Sequence, residues 1–165
     1  MLSLGIESTA HTFGCGIITD DGNVLANERL MHIPEIGKGM LPRQAAEHHM
    51  QIAVGTIKAA LDSAKTKMGN ISIVSFSAGP GIPNCLRVGA SVARYLSLKY
   101  KTPLVPVNHC VAHIEIGKLT TGSKNPVIVY LSGGNSQIIA FVEGRYRIFG
   151  ETEDIPIGNA LDVLA

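Results

Sequence analysis

Leu2, Leu4 and Ile6 alternate with small or polar residues at the start of the chain, the period-two pattern of a strand with one buried face. Two further short strands follow in "FGCGIITDDGNVLANERL", with Asp21-Gly22 as a hairpin turn between them, so the opening reads as a three-strand meander. From Pro42 the period changes. Met50, Ala53, Val54, Ile57, Ala60, Leu61 and Ala64 recur at three- and four-residue spacing, which predicts an amphipathic helix with Pro42 in its first turn, ending near Gly69. The run "ISIVSFS" predicts a short buried strand, "GPGIP" a turn, Asn84 to about Tyr100 a second helix, and "PLVPV" another strand. Strands separated by helices imply parallel pairing. From Pro126 the opening outline returns as strand, small polar turn, strand, Gly144 turn and strand, which suggests a duplicated unit. The final "IGNALDVLA" is helical in pattern, and the second copy is expected to be cut in mid-domain at Ala165.

Composition narrows the class. The chain has 165 residues, 45% of them hydrophobic and 16% charged, which suits a globular protein with a real core. No apolar run approaches the ~20 residues of a membrane span, and Met1 to Ile6 lacks the basic start and length of a secretory signal. The expected location is therefore cytoplasmic, with no membrane partner. Cys15, Cys85 and Cys110 show no CxxC spacing and read as buried thiols rather than a disulfide framework or zinc site. A net charge of +1 weighs against a protein that grips nucleic acid unaided, although a local patch or a basic partner could supply the attraction.

The candidate chemistry begins at "VNHCVAHIE". Residues i and i+4 share a helix face, so His109 and His113 could present two imidazoles to one ion. Alone, HxxxH more often describes surface or satisfied core histidines. The context strengthens the ligand reading: Asn108 is a good N-cap directly after an apolar strand, and the macrodipole at a helix start disfavours a charged imidazolium. The carboxyl end of a parallel strand is also where α/β proteins bind ligands. Glu115 lies two residues on, about 200° around the helix, and points elsewhere. "YLSGGNS" reads either as an ordinary hairpin or as a glycine-rich loop whose N–H groups can approach a phosphate. The matching turn "ESTAHT" makes the second reading competitive. "SAGPGIPN" lacks the Lys-Ser/Thr of a P-loop and reads as a simple turn. His48 and His49 in "AAEHH" cannot share a helix face and read as solvated or packed side chains.

Taken together, "LGIESTAHT", "AAEHH", "SAGPGIPNCLRVG", "VNHCVAHIEIGK", "YLSGGNSQ" and "FGETEDIPIGNALDV" resemble the archaeal and eukaryotic branch of the tRNA threonylcarbamoyladenosine transferase family, the TsaD-like subunit of KEOPS, formerly described as a glycoprotease. The resemblance covers the N-terminal half of the family's length. It implies an α/β fold of the actin, sugar-kinase and chaperone-ATPase kind, built of duplicated ribonuclease-H-like lobes. Residues 1–125 would form a complete first lobe with the HxxxH helix, and 126–165 the truncated start of the second. The implied reaction is transfer of a threonylcarbamoyl group from its adenylate to N6 of the adenosine 3′ of the anticodon, in tRNAs reading codons beginning with A.

The same resemblance implies one divalent or trivalent metal per subunit, iron or zinc, held by His109, His113 and Tyr130, with a further ligand in the missing half. It implies donor binding by Tyr130, Leu131, Ser132, Gly133, Gly134 and Asp162, and a possible phosphate loop at Glu7, Ser8 and Thr9. The implied partners are tRNA, threonylcarbamoyl-adenylate or ATP, a KEOPS-type kinase and small accessory subunits. Leu41 stands where the family often has a histidine. The full-length protein would be an enzyme, and the 165-residue chain alone is expected to be inactive. Two other classes are weighed against this: a non-catalytic nucleotide-binding scaffold of the same superfamily, and a metalloprotease, which the lack of HExxH disfavours.

Overall fold

The computed structural model describes residues 1–34, 39–131, 136–155 and 157–164. Strands β1 (Leu2–Glu7), β2 (Thr12–Thr19) and β3 (Val24–Met31) form the expected antiparallel meander. Gly22 turns the second hairpin at φ 89°, a conformation open to glycine without a Cβ penalty. Helix α1 (Pro42–Ser63) leads to a 3₁₀ turn (Met68–Asn70), β4 (Ile73–Gly79), helix α2 (Pro83–Tyr100) and β5 (Leu104–Asn108). β1 pairs in parallel with β4, and β4 with β5, giving a five-stranded sheet in the order β3-β2-β1-β4-β5. Helix α3 (His109–Thr121) follows, then the antiparallel strands β6 (Ile128–Leu131), β7 (Ser136–Val142) and β8 (Arg145–Thr152), and helix α4 (Ile157–Leu164). No helix among the described residues is long and apolar enough to cross a membrane.

The chain divides into two units, Met1–Ala112 and His113–Ala165. In the first unit, α1 lies against β2 and β3, α2 against β4, and the helices pack on each other. Leu4, Phe13, Ile17, Val74, Ala60 and Ala93 are fully buried in the resulting core, and each large apolar side chain removed from water contributes about 1.5–3 kcal/mol. In the second unit the described buried residues are Ile114 and Ile139. There Glu143 (φ 53°) and Gly144 (φ 77°) both take positive φ between β7 and β8, the signature of a type I′ hairpin.

Three sequence expectations change. α1 ends at Ser63 rather than near Gly69. Lys65 takes the left-handed position at φ 50°, its N–H donates to the Asp62 carbonyl, and the Thr66 N–H reaches back to the Leu61 carbonyl. This is the Schellman arrangement, built on lysine instead of glycine. The buried face of α1 is also rotated from the one expected. Met50 and Val54 are exposed, while Ala45, Ala46, His49, Ala53, Thr56, Ile57 and Ala60 face inward. Cys15 and Cys85 are buried as expected, but Cys110 is only half-buried.

Candidate functional site at the carboxyl edge of the parallel strands

Strand order β1-β4-β5, all parallel, brings the last residue of β1, Glu7, to the same edge as Asn108 at the end of β5. This is the edge at which open α/β sheets place ligands. Asn108 caps α3: its Oδ1 accepts the N–H groups of Cys110 (2.9 Å) and Val111 (3.1 Å). The cap starts the helix at His109 and so sets His109 and His113 one turn apart on a common helix face.

Each histidine has a distinct neighbour. His109 Nδ1 stands 4.0 Å from Glu7 Oε1, and both side chains are partly buried. A carboxylate beside Nδ1 favours the proton on that nitrogen. Within the second unit, the exposed His113 ring lies 6.5 Å from the Tyr130 ring, centroid to centroid, tilted by 53°. Tyr130 is half-buried on β6, opposite Gln137 of β7. Among the described residues no three of His, Cys, Asp and Glu are placed to share one ion.

The remaining expected residues fall in three places. Leu131 is exposed at the end of β6, and Asp162 is exposed on α4. Ser132, Gly133 and Gly134 lie outside the described residues. Ser8 and Thr9 are buried, with 1% and 5% of their surface exposed. Their packing explains this. The Thr9 N–H donates to Glu7 Oε1 at 2.8 Å, and the Thr9 hydroxyl donates to the same oxygen. The Thr9 carbonyl accepts the Ile82 N–H at 2.7 Å. A Cβ at Gly81 would meet that carbonyl oxygen at 2.7 Å, and one at Gly89 would collide with Ser8 Oγ. The glycines of "SAGPGIPNCLRVG" therefore permit close packing of α2 on this turn, consistent with reading that segment as a turn.

One feature was missed in the sequence. The Glu7–His109 proximity depends on the strand order and has no local signal. His49, read as solvated or packed, is packed: it is buried, with Nε2 3.0 Å from the Ala10 carbonyl. Cys85 does not add a nucleophile here, because burial and the nearby Glu7 charge push its thiol upward. Burial, reinforced by Glu28, takes Cys15 up to about 12.

Comparison with known proteins bears on this arrangement. Residues 23–165 match the family model TsaD, described as tRNA N6-adenosine threonylcarbamoyltransferase. The chain is 53% identical over 165 residues to the protein of that name from Caldivirga maquilingensis, covering 100% of this chain and 50% of that protein. It is 48% identical over 163 residues to a probable tRNA N6-adenosine threonylcarbamoyltransferase of Drosophila melanogaster, covering 99% and 47%. The chain thus spans about half the length of these curated relatives. Among solved structures, YeaZ from Pseudomonas aeruginosa aligns with a TM-score of 0.63 at 14% identity, over 94% of this chain and 69% of that one, a likeness of fold alone. The Ppx/GppA enzyme of Aquifex aeolicus aligns over 99% of this chain with a TM-score of 0.55 at 12% identity, again a likeness of fold alone, and one that agrees with the α/β fold expected from the sequence. From residue 23 onward the match is continuous, and the chain belongs to the TsaD family of tRNA N6-adenosine threonylcarbamoyltransferases.

Proposed function

We propose that this chain supplies the first half of an enzyme that transfers threonylcarbamoyl from threonylcarbamoyl-adenylate to N6 of the adenosine 3′ of the anticodon, in tRNAs reading codons beginning with A. Family membership supports the reaction class. The observation that carries the site is the capped helix at the end of β5, with Glu7 beside His109 and Tyr130 beside His113. In the reaction the N6 nitrogen attacks the carbamoyl carbon, a C–N bond forms, the C–O bond to the phosphate breaks, AMP leaves and the amine gives up one proton.

His109, His113 and Tyr130 would hold the metal, iron or zinc, which when bound supplies Lewis acidity toward the donor's oxygen atoms. Glu7 orients the His109 ring through Nδ1, and Thr9 fixes Glu7 by two hydrogen bonds. Leu131, Ser132, Gly133, Gly134 and Asp162 are assigned to donor binding by their place in the family motifs. Partners on this reading are tRNA, the adenylate or ATP, a KEOPS-type kinase and small accessory subunits, in the cytoplasm.

A chimera tests this. Residues 1–165 replace the matching half of the Caldivirga maquilingensis relative, and the product is assayed with tRNA, threonine, bicarbonate, ATP and the companion donor-synthesis enzyme. The expected result is threonylcarbamoyladenosine in the tRNA, falling at least about 100-fold in His109→Ala, because the lost ligand acts on the reacting group. A folded chimera that forms no product beside an active parent overturns the proposal. Nucleotide binding without product would instead favour the scaffold reading.

A further inference from the structure

We propose, on the reading of Glu7 as the carboxylate that orients His109, that His49 is a positioning residue which fixes the Glu7 turn from beneath. His49 is fully buried on α1, with Nε2 3.0 Å from the Ala10 carbonyl. A carbonyl oxygen only accepts, so Nε2 carries the proton and donates it. Nδ1 is left as a buried lone pair without a protein hydrogen-bond partner. The ring sits edge-on to Phe13 with centroids 5.7 Å apart, which holds its plane while Nε2 points at the turn.

A continuous chain of contacts leads to the candidate site. His49 holds Ala10, the preceding residue Thr9 donates twice to the Glu7 carboxylate, and Glu7 faces His109 Nδ1. On its other side the turn is gripped by backbone, through the Ile82 N–H and the close approach of Gly81 and Gly89. His49 is the titratable side chain among these anchors. Further from the turn, the His48 ring is 5.8 Å from the His49 ring, and the His32 ring at the end of β3 is 5.4 Å from that of His48. The cluster is not placed as a metal site among the described residues.

The anchor requires a neutral imidazole. The titratable and charged groups around it are Glu7 from β1, His32 beyond β3, and His48 on its own helix. Burial holds His48 and His49 below the ordinary imidazole value, and neighbouring histidine charge lowers both further. A proton added at Nδ1 would place a charge in an apolar pocket beside a second histidine. The turn is thus firmly seated at neutral pH and loosens when the cluster protonates in acid.

The test uses this chain and two variants. His49→Gln keeps an N–H donor near the Nε2 position, and His49→Leu removes it. Ring ¹⁵N spectra of the wild type should show His49 as the Nε2–H tautomer at neutral pH. His49→Leu should raise amide hydrogen exchange at Thr9 and Ile82 about tenfold, with β4 amides unchanged as the check of folding, and His49→Gln should restore most of the protection. Zinc affinity, measured in parallel, should weaken about tenfold in His49→Leu and in Glu7→Gln but not in His49→Gln, the range for losing support behind a ligand. An Nδ1–H tautomer, or His49→Leu and His49→Gln equally perturbed or equally silent at Thr9 and Ile82, overturns the positioning role. A loosened turn with unchanged zinc affinity upholds that role and contradicts instead the reading of Glu7 and His109.

Discussion

Both units are built on a three-strand antiparallel meander, yet only one of them makes a closed core among the described residues. In the first, β1–β3 continue into β4 and β5, and α1 with α2 seals Leu4, Phe13, Ile17 and Val74 from water. In the second, Val127, Val129, Leu131, Ile138 and Val142 are exposed, Ala140 is half-buried, and Ile139 is the buried strand residue. The alternation of apolar residues is similar in the two. A periodic pattern therefore predicts a strand and its two faces, and the covering layer decides whether a face becomes core.

The largest expected effect sharpens that contrast in packing. Phe13→Ala should cost about 3–5 kcal/mol, because the ring is fully buried and its loss leaves a cavity. Val129→Ser, at 64% exposure, should stay within about 0.5 kcal/mol. Urea unfolding followed by circular dichroism checks both, and equal costs would erase the distinction.

A glycine pair gives the next effect. Gly89→Ala pushes a methyl group into Ser8 and should destabilise by about 1–3 kcal/mol. Gly117, in α3 of the second unit, has open space around its Cβ position, so Gly117→Ala should stabilise by about 0.5–1 kcal/mol. Thermal melts of the two variants should move in opposite directions.

Acid separates the units by a smaller margin. His48 and His49 have folded values below their unfolded ones, so the unfolded chain binds protons first as pH falls. The first unit should lose stability below about pH 6.5, by at most about 1.4 kcal/mol per pH unit for each proton. In the second unit, Glu115 accepts from the Tyr146 hydroxyl and from Lys118 Nζ (3.2 Å). Those contacts, Tyr146 first, hold its carboxyl below the usual range. Its contribution is present above about pH 4.3 and is lost only as pH falls further. Amide exchange between pH 7 and 4 should show β1, β2 and β4 loosening before β7 and β8. The reverse order would contradict the histidine cluster as the acid-sensitive element.

The sequence made several elements legible because their signals are local. Asp21-Gly22 marked a hairpin, Pro42 a helix start and Asn108 a cap, and the alternation of strand and helix implied the parallel pairing found for β1, β4 and β5. The inward face of α1 was misjudged, because hydropathy counted Met50 and Val54, whereas the buried face runs through His49, which donates to the Ala10 carbonyl. The end of α1 was misjudged because Lys65 takes a backbone conformation that composition assigns to glycine. Within the site, HxxxH spacing left ligand and bystander open, and the resemblance supplied the roles of His113 and Tyr130. That Glu7 faces His109 across β4 follows from strand order, which joins residues about a hundred positions apart and leaves no mark in either segment.

The central claim is that α3 carries two metal ligands, and the most direct measurement is a zinc or ferrous-ion titration of this chain against a competing chromogenic chelator. One ion should bind per chain, with affinity weakened at least about tenfold in His109→Ala and in His113→Ala and no specific binding left in the double variant. Full occupancy in a folded double variant would contradict it.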